Sequence, residues 1–336
     1  MRRESSPATW VVALVLGVAM LGTGCTKRAR PAASAATVAA EPQPQGRGIC
    51  SAPRHPNFAN QPVRAHDWLS LMARLELGRG GVFATRDCLG RWINYAAMSN
   101  ACGSIAYAQT QPRRMAVAEE TVIVRDLGDT SYLVWVITHR FEDGDGYGPL
   151  ALARRDNAGL WVEAMGILRM HGDRVKLERW TIQKENVISV SGERCTQAQN
   201  GQRRCERSTQ LLLQHGQQLL AAPVVDPQNR CLEQAQFQLA RSHERPVGSG
   251  VMRTFELSAD ITHDARYVVV EERLLVRDAD SRSQNQPARV VQRVETRRLL
   301  QPYAGRLVTR QDSLWKRAVD SASRSPSAAH SGGGLE

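Results

Sequence analysis

The chain lacks the short motifs by which an enzyme of common type would announce itself. It has no H-E-x-x-H, no G-x-S-x-G and no glycine-rich phosphate loop, and its one G-S-G, at residues 248–250, has no strand-elbow-helix setting around it. Nucleotide-dependent chemistry is set aside on that ground. No C-x2-C or H-x3-H spacing occurs, so a structural zinc site is not expected either. Lysine is scarce: Lys27, Lys176, Lys184 and Lys316 are the four present, leaving 40 arginines among the 44 basic residues. The formal net charge is +11, yet the arginines run through segments that also carry Glu and Asp, whereas a dedicated nucleic-acid binder clusters its charge. No nucleic-acid partner is expected. Long apolar runs are missing after residue 21, and the composition is that of a chain whose mature part is globular and soluble.

What is present begins with a single apolar run. Arg2 and Arg3 precede 14 uncharged residues, 8–21, followed by Gly22, Thr23, Gly24 and Cys25. As a helix, 14 residues reach only about 21 Å, short of the roughly 30 Å hydrocarbon core, so residues 1–24 read as a secretion signal and not as a permanent span. The stretch LGTGC resembles the lipobox of bacterial lipoprotein precursors, although Gly22 stands where leucine is commonest. The resemblance covers residues 1–25 and implies that Cys25 is lipidated on sulfur and becomes the new N-terminus. Thr26, where that family carries aspartate for inner-membrane retention, implies the outer membrane, facing periplasm or cell surface. The alternative is an ordinary signal cleaved near Gly24, with Cys25 an unmodified thiol.

With Cys25 set aside, Cys50, Cys88, Cys102, Cys195, Cys205 and Cys231 remain, an even six in an oxidising compartment, and they are expected to form disulfides. The sharpest pairing is Cys195 with Cys205. They lie symmetrically about Asn200 in CTQAQNGQRRC, flanked by strand-like NVISVS and STQLLLQ, and a three-residue loop with Gly201 at its left-handed position sets them opposite one another. Cys88 with Cys102 and Cys50 with Cys231 are the simplest remaining pairs.

Five regions follow. Residues 1–24 are the signal, and 25–49 hold the lipidated cysteine and an Ala/Pro-rich tether that extends up to roughly 70 Å. Residues 50–120 are a helical, cysteine-containing N-terminal part, 121–320 an antiparallel β domain, and 321–336 a tail disordered by composition. One helix is expected over 65–77, where Trp68, Leu71, Met72 and Leu75 recur at helical spacing before Gly78, and a second over about 90–99. After residue 120, short apolar runs alternate with turn dipeptides, the mark of an antiparallel meander, sandwich or half-barrel, and the fold class is mainly β (α+β). In TFELSADIT, Phe255, Leu257, Ala259 and Ile261 take one face, and with YVVVEERLLVRD and RVVQRVETRRLL they form a terminal sheet.

Two weak candidate sites stand out. Asp143 and Asp145, with Glu142, sit on the glycine-rich loop FEDGDGYGP, but calcium needs six to eight oxygens and no bidentate glutamate follows, so a solvated hairpin loop is favoured over a metal site. Arg273, Arg293 and Arg297, with Arg277 and Arg289, align on one face of the terminal sheet in a pattern suited to lipid phosphates or other polyanions. Glu256, Asp260, Glu271 and Glu295 share those strands, so cross-strand ion pairs are the expected use. No catalytic residue, cofactor or metal is assigned. The expected role is a lipid-anchored, non-catalytic accessory or structural partner of an envelope protein. A carrier holding an acyl chain in a curved sheet is the first alternative, told apart by an open apolar cavity, and a periplasmic hydrolase is the second, needing a histidine that meets both a carboxylate and a Ser or Cys.

Overall fold

The structure is a computed structural model that describes residues 48–53, 63–93, 99–100, 102–104, 112–156, 159–171, 174–197, 203–248, 250–280 and 287–323. The signal, Cys25, the tether up to residue 47 and the Asn200–Gly201 turn lie outside the described residues, as does the tail from residue 324. All described residues belong to one unit, Gly46–Glu336.

Alternating and wholly apolar strands build the first sheet, which curls into a half-barrel. Its path runs from Lys176–Ile182 through Glu185–Gln197, Arg203–His215, Gln218–Ala221, Gly159–His171, Asp145–Arg155 and Ser131–Val136 to Val122–Gly128. Its neighbours are antiparallel except for one parallel bridge, Met165 with Gln218, and the two end strands of the path approach each other. Leu133, Trp135, Leu150, Leu152, Leu168 and Leu212 fill the concave side, none more than 2% exposed. On the convex side the helix Ala65–Met72 lays Trp68, Leu69, Leu71 and Met72 on Val134, Val136, Ala151 and Val162. Strand Asp145–Arg155 is therefore buried on both faces for most of its length, which is why its sequence reads as a nearly unbroken apolar run.

The N-terminal part is less helical than its spacing indicates. The helix stops at Met72, and Ala73–Gly78 pairs with Gly81–Asp87 as a hairpin. Leu75 and Leu77 also alternate with Arg74 and Glu76, and the positive φ of Gly80 and Gly81 supplies the turn that lets the strand reading win. The second expected helix does not form at its start: Gly90 ends a turn whose amides Asp87 caps, and Trp92 bridges Arg86. Residues 94–98 lie outside the described residues.

The second sheet runs Cys231–Gln234, Pro223–Val225, Arg306–Val308, Arg289–Tyr303, Val268–Asp280, Val251–His263 and Ala240–Gly248. Val251–His263, Val268–Asp280 and Arg289–Tyr303 are the three long strands expected from the sequence, with Phe255, Leu257 and Ala259 buried on one face. Between the sheets, Val187, Leu211 and Leu213 of the first meet Val224, Val268 and Leu300 of the second. A helix that the sequence reading missed, Leu314–Ser323, follows, running into the stretch read as tail.

Three disulfides close the described chain: Cys50 with Cys88, Cys102 with Cys231, and Cys195 with Cys205. Cys195 and Cys205 are direct cross-strand partners with Cα atoms 4.0 Å apart, the close approach of a non-hydrogen-bonded pair. The two long-range pairs differ from the simplest assignment. Cys50 pairs with the half-barrel opposite Val162, while the Cys88 N–H donates to the Met72 carbonyl, which brings Cys88 beneath the same helix. Cys102 instead joins the strand Cys231–Gln234 of the second sheet.

Candidate functional site

The acidic loop is built as an arginine clamp. Gly144, at φ +89, turns the chain between His139–Arg140 and Asp145–Arg155, and the Asp143 carboxylate accepts the Asp145 amide at 3.0 Å. Arg169, paired with Tyr147 across the ladder, donates from Nε to Asp145 at 2.8 Å and from Nη2 to Asp143 at 2.7 Å. Its guanidinium lies 3.7 Å from the centroid of the Phe141 ring. His171, the cross-strand partner of Asp145, sets Nδ1 against the other carboxylate oxygen, and Arg194 donates to the Asp143 carbonyl at 3.0 Å and to Glu206 at 2.6 Å. Burial raises the Asp145 carboxyl, but His171 and Arg169 together outweigh it and hold the group below the usual carboxylate range. Arg169 thus engages one oxygen of each carboxylate and ties the loop to the next strand. Among the described residues, Glu193, Cys195 and Cys205 have ligand-like spacing, but the two sulfurs are bonded to each other and offer no thiolate.

The hydrolase constellation is not brought together among the described residues. His171 meets the Asp145 carboxylate but no Ser or Cys side chain among the described residues. His66 meets Ser70 at 3.4 Å on an exposed helix turn, while the neighbouring Asp67 accepts from the Arg64 amide instead. His139, bonded to the Thr138 hydroxyl at 2.9 Å, is held below its ordinary pKa by burial and by Arg114.

On the outer face of the terminal sheet the arginines form a ladder. Arg297 lies across from Glu271 and Arg273 from Glu295, at 3.9 and 3.8 Å, and Arg277 reaches Glu256 at 3.1 Å. Arg293 faces Leu275. Arg289 does not join this face. The bulge opposite Val276 and Arg277 sets it across from Asp278 on the other side.

That inner side carries a groove between the sheet and the C-terminal helix. Phe255, Leu274, Val276 and Val294 make its floor, Leu314 and Ala318 its wall, and Arg245 and Arg253 its far rim, around a cavity of about 360 Å³. Arg253 is gripped by Asp278 through two bonds of 2.7 Å. Arg245 lies over the Phe255 ring at 5.1 Å, and its Nε is buried without an acceptor among the described residues. The helix is pinned by a buried clasp: Arg298, fully enclosed, bonds Glu233 and, at 3.1 Å, Glu272, whose second oxygen accepts the Leu314 amide at 2.9 Å. Burial raises the Glu272 carboxyl, and Arg298 and the Leu314 amide offset only part of that.

Sequence reasoning missed Arg169, His171, Glu272 and Arg298 as paired groups. One signal existed for the clasp: Arg298 shares its alternation phase with Val294 and Leu300, and Glu272 shares its own with Val270 and Leu274, so both charges sit where apolar residues face inward. Compared with known proteins, the chain matches no family, no curated protein and no solved structure.

Proposed function

We propose that the protein is a lipid-anchored envelope lipoprotein, held at the outer membrane through Cys25, that acts as a non-catalytic accessory or structural partner in an envelope assembly. The observation that supports it is the cysteine pairing. Six cysteines close into three disulfides, which fits an oxidising compartment and leaves Cys25, at the end of the lipobox-like stretch, as the odd one. The half-barrel interior favours scaffold over carrier, because the concave side that an acyl chain would need is filled by Trp135, Leu150, Leu152 and Leu168.

The test is Cys25→Ser in cells. The substitution is expected to release the protein from the membrane fraction or to stall its processing, while the wild-type mature protein carries lipid mass on Cys25. An unmodified Cys25 on the mature wild-type chain would overturn the anchoring. Crosslinking in membranes, followed by mass spectrometry, is expected to join the chain to a defined envelope protein; uncrosslinked monomer throughout would remove the assembly role.

A further inference from the structure

We propose that the groove between the terminal sheet and the C-terminal helix binds a single acyl chain that ends in an anionic head. Its lining is apolar over the width of three strands, from Phe255 through Leu274 and Val276 to Val294. At the groove's open end the apolar surface continues uncovered in Val291, which is 47% exposed. A cavity of about 360 Å³ lies within the size range of small-molecule sites, which is roughly 300–1,000 Å³.

The rim selects the charge of the occupant. Arg245 and Arg253 stand together as cross-strand partners at one end of this floor, where Asp278 pairs with Arg253. Asp278 spends both oxygens on Arg253, so the Arg245 charge is not neutralised by it. The buried Nε of Arg245, without an acceptor among the described residues, is a donor that an incoming carboxylate or phosphate oxygen would satisfy, and guanidinium is the side chain suited to bind such groups through two parallel bonds. The stack on Phe255 fixes that guanidinium where apolar floor gives way to water. Apolar floor and cationic rim in this order match an acyl chain lying along the sheet with its head at Arg245. A neutral chain would leave the rim unused, and an acidic peptide would leave the floor unused.

The claim is testable on the full chain carrying Cys25→Ser, so that no lipid of its own competes. Titrations below the critical micelle concentration would compare dodecanoate, dodecyl phosphate and uncharged dodecanol. Saturable one-to-one binding is expected for both anions, with dodecanol roughly tenfold weaker or more, as expected for loss of one charge-assisted hydrogen bond. Arg245→Gln should bring dodecanoate down to the level of dodecanol. Val291→Glu, on an exposed position whose replacement spares the core, should weaken all three ligands at least tenfold, and Val124→Glu, also exposed but on the other sheet, should weaken none. The proposal is overturned if neither anion binds saturably, if dodecanol binds as well as dodecanoate, or if Val291→Glu leaves binding intact. Cosedimentation with phosphatidylglycerol vesicles in the absence of binding to monomeric dodecanoate would also overturn it, in favour of a membrane-facing surface.

Discussion

Arg169 and Arg298 are the most deeply enclosed arginines among the described residues, at 7% and 0% exposure, and each serves two carboxylates, Arg169 a pair from one loop and Arg298 a pair from separate strands. The planar guanidinium can reach both at once, which a lysine ammonium on a point-like head does less well. Removing such a cation strands its partners in low dielectric. Arg169→Met leaves Asp145 with His171 alone and is expected to cost about 3–5 kcal/mol in urea unfolding. The pH dependence follows from Asp145. Its folded pKa is depressed, so the stability it contributes is fully present above its unfolded value of roughly 3.9 and is lost as pH falls through the lower folded value. Asp145→Asn should therefore flatten the acid limb of the stability profile below about pH 4 while lowering stability at neutral pH. An unchanged acid limb would show that Asp145 gains nothing from its partners. Glu272 works in the opposite sense: its carboxyl is raised, so ionising it costs stability as pH rises from its unfolded value through its folded one.

The hairpin of Glu185–Gln197 and Arg203–His215 is the element where local sequence says most. Its symmetric cysteines mark the register in the sequence, and Cys195 stands opposite Cys205. Closing so short a loop should contribute roughly 2–3 kcal/mol on the chain-entropy estimate, so replacing both cysteines by serine is expected to lower stability by that amount without moving the flanking strands. Peptide mapping under non-reducing conditions is expected to recover Cys195 with Cys205, Cys50 with Cys88, and Cys102 with Cys231; a peptide joining Cys88 to Cys102 would contradict the structure. The long strands were legible for the same local reason, since period-two patterns such as Phe255, Leu257 and Ala259 need no knowledge of distant partners. The helix Leu314–Ser323 was not. LWKRAVDSAS offers few large apolar residues, and what holds its start is Glu272, 42 residues away. The two long-range disulfides and the groove escaped sequence reading similarly, because their parts come from stretches far apart in the chain that meet only in the folded protein. No pattern in FEDGDGYGP announces that Asp143 and Asp145 will grip an arginine from the next strand.

For the whole molecule, the decisive feature is that neither sheet owns a complete core. Trp180, Val187, Leu211 and Leu213 of the half-barrel turn away from its filled interior and pack against Val224, Val268, Leu300 and Leu307 of the second sheet, with Phe237 beside them. A half-barrel unfolding alone would uncover both sets, and so would loss of the second sheet. At roughly 25 cal/mol per Å² of apolar surface, side chains of this size each contribute about 1.5–3 kcal/mol, so partial unfolding forfeits many such terms together. The helix Leu314–Ser323 and the Arg298 clasp belong to the same side of this interface through strand Cys231–Gln234, which the Cys102 disulfide also holds. The two sheets are therefore expected to melt as one. In urea, far-UV circular dichroism and tryptophan fluorescence should give coincident transitions, with Trp135 reporting from the half-barrel interior and Trp180 from between the sheets. Leu300→Ala, at a fully buried place in the inter-sheet core, should shift both curves together by about 2–5 kcal/mol. A variant whose fluorescence midpoint moves while a second transition persists unshifted would mean that the half-barrel stands without its cover, and the shared core would then be a contact between independent domains.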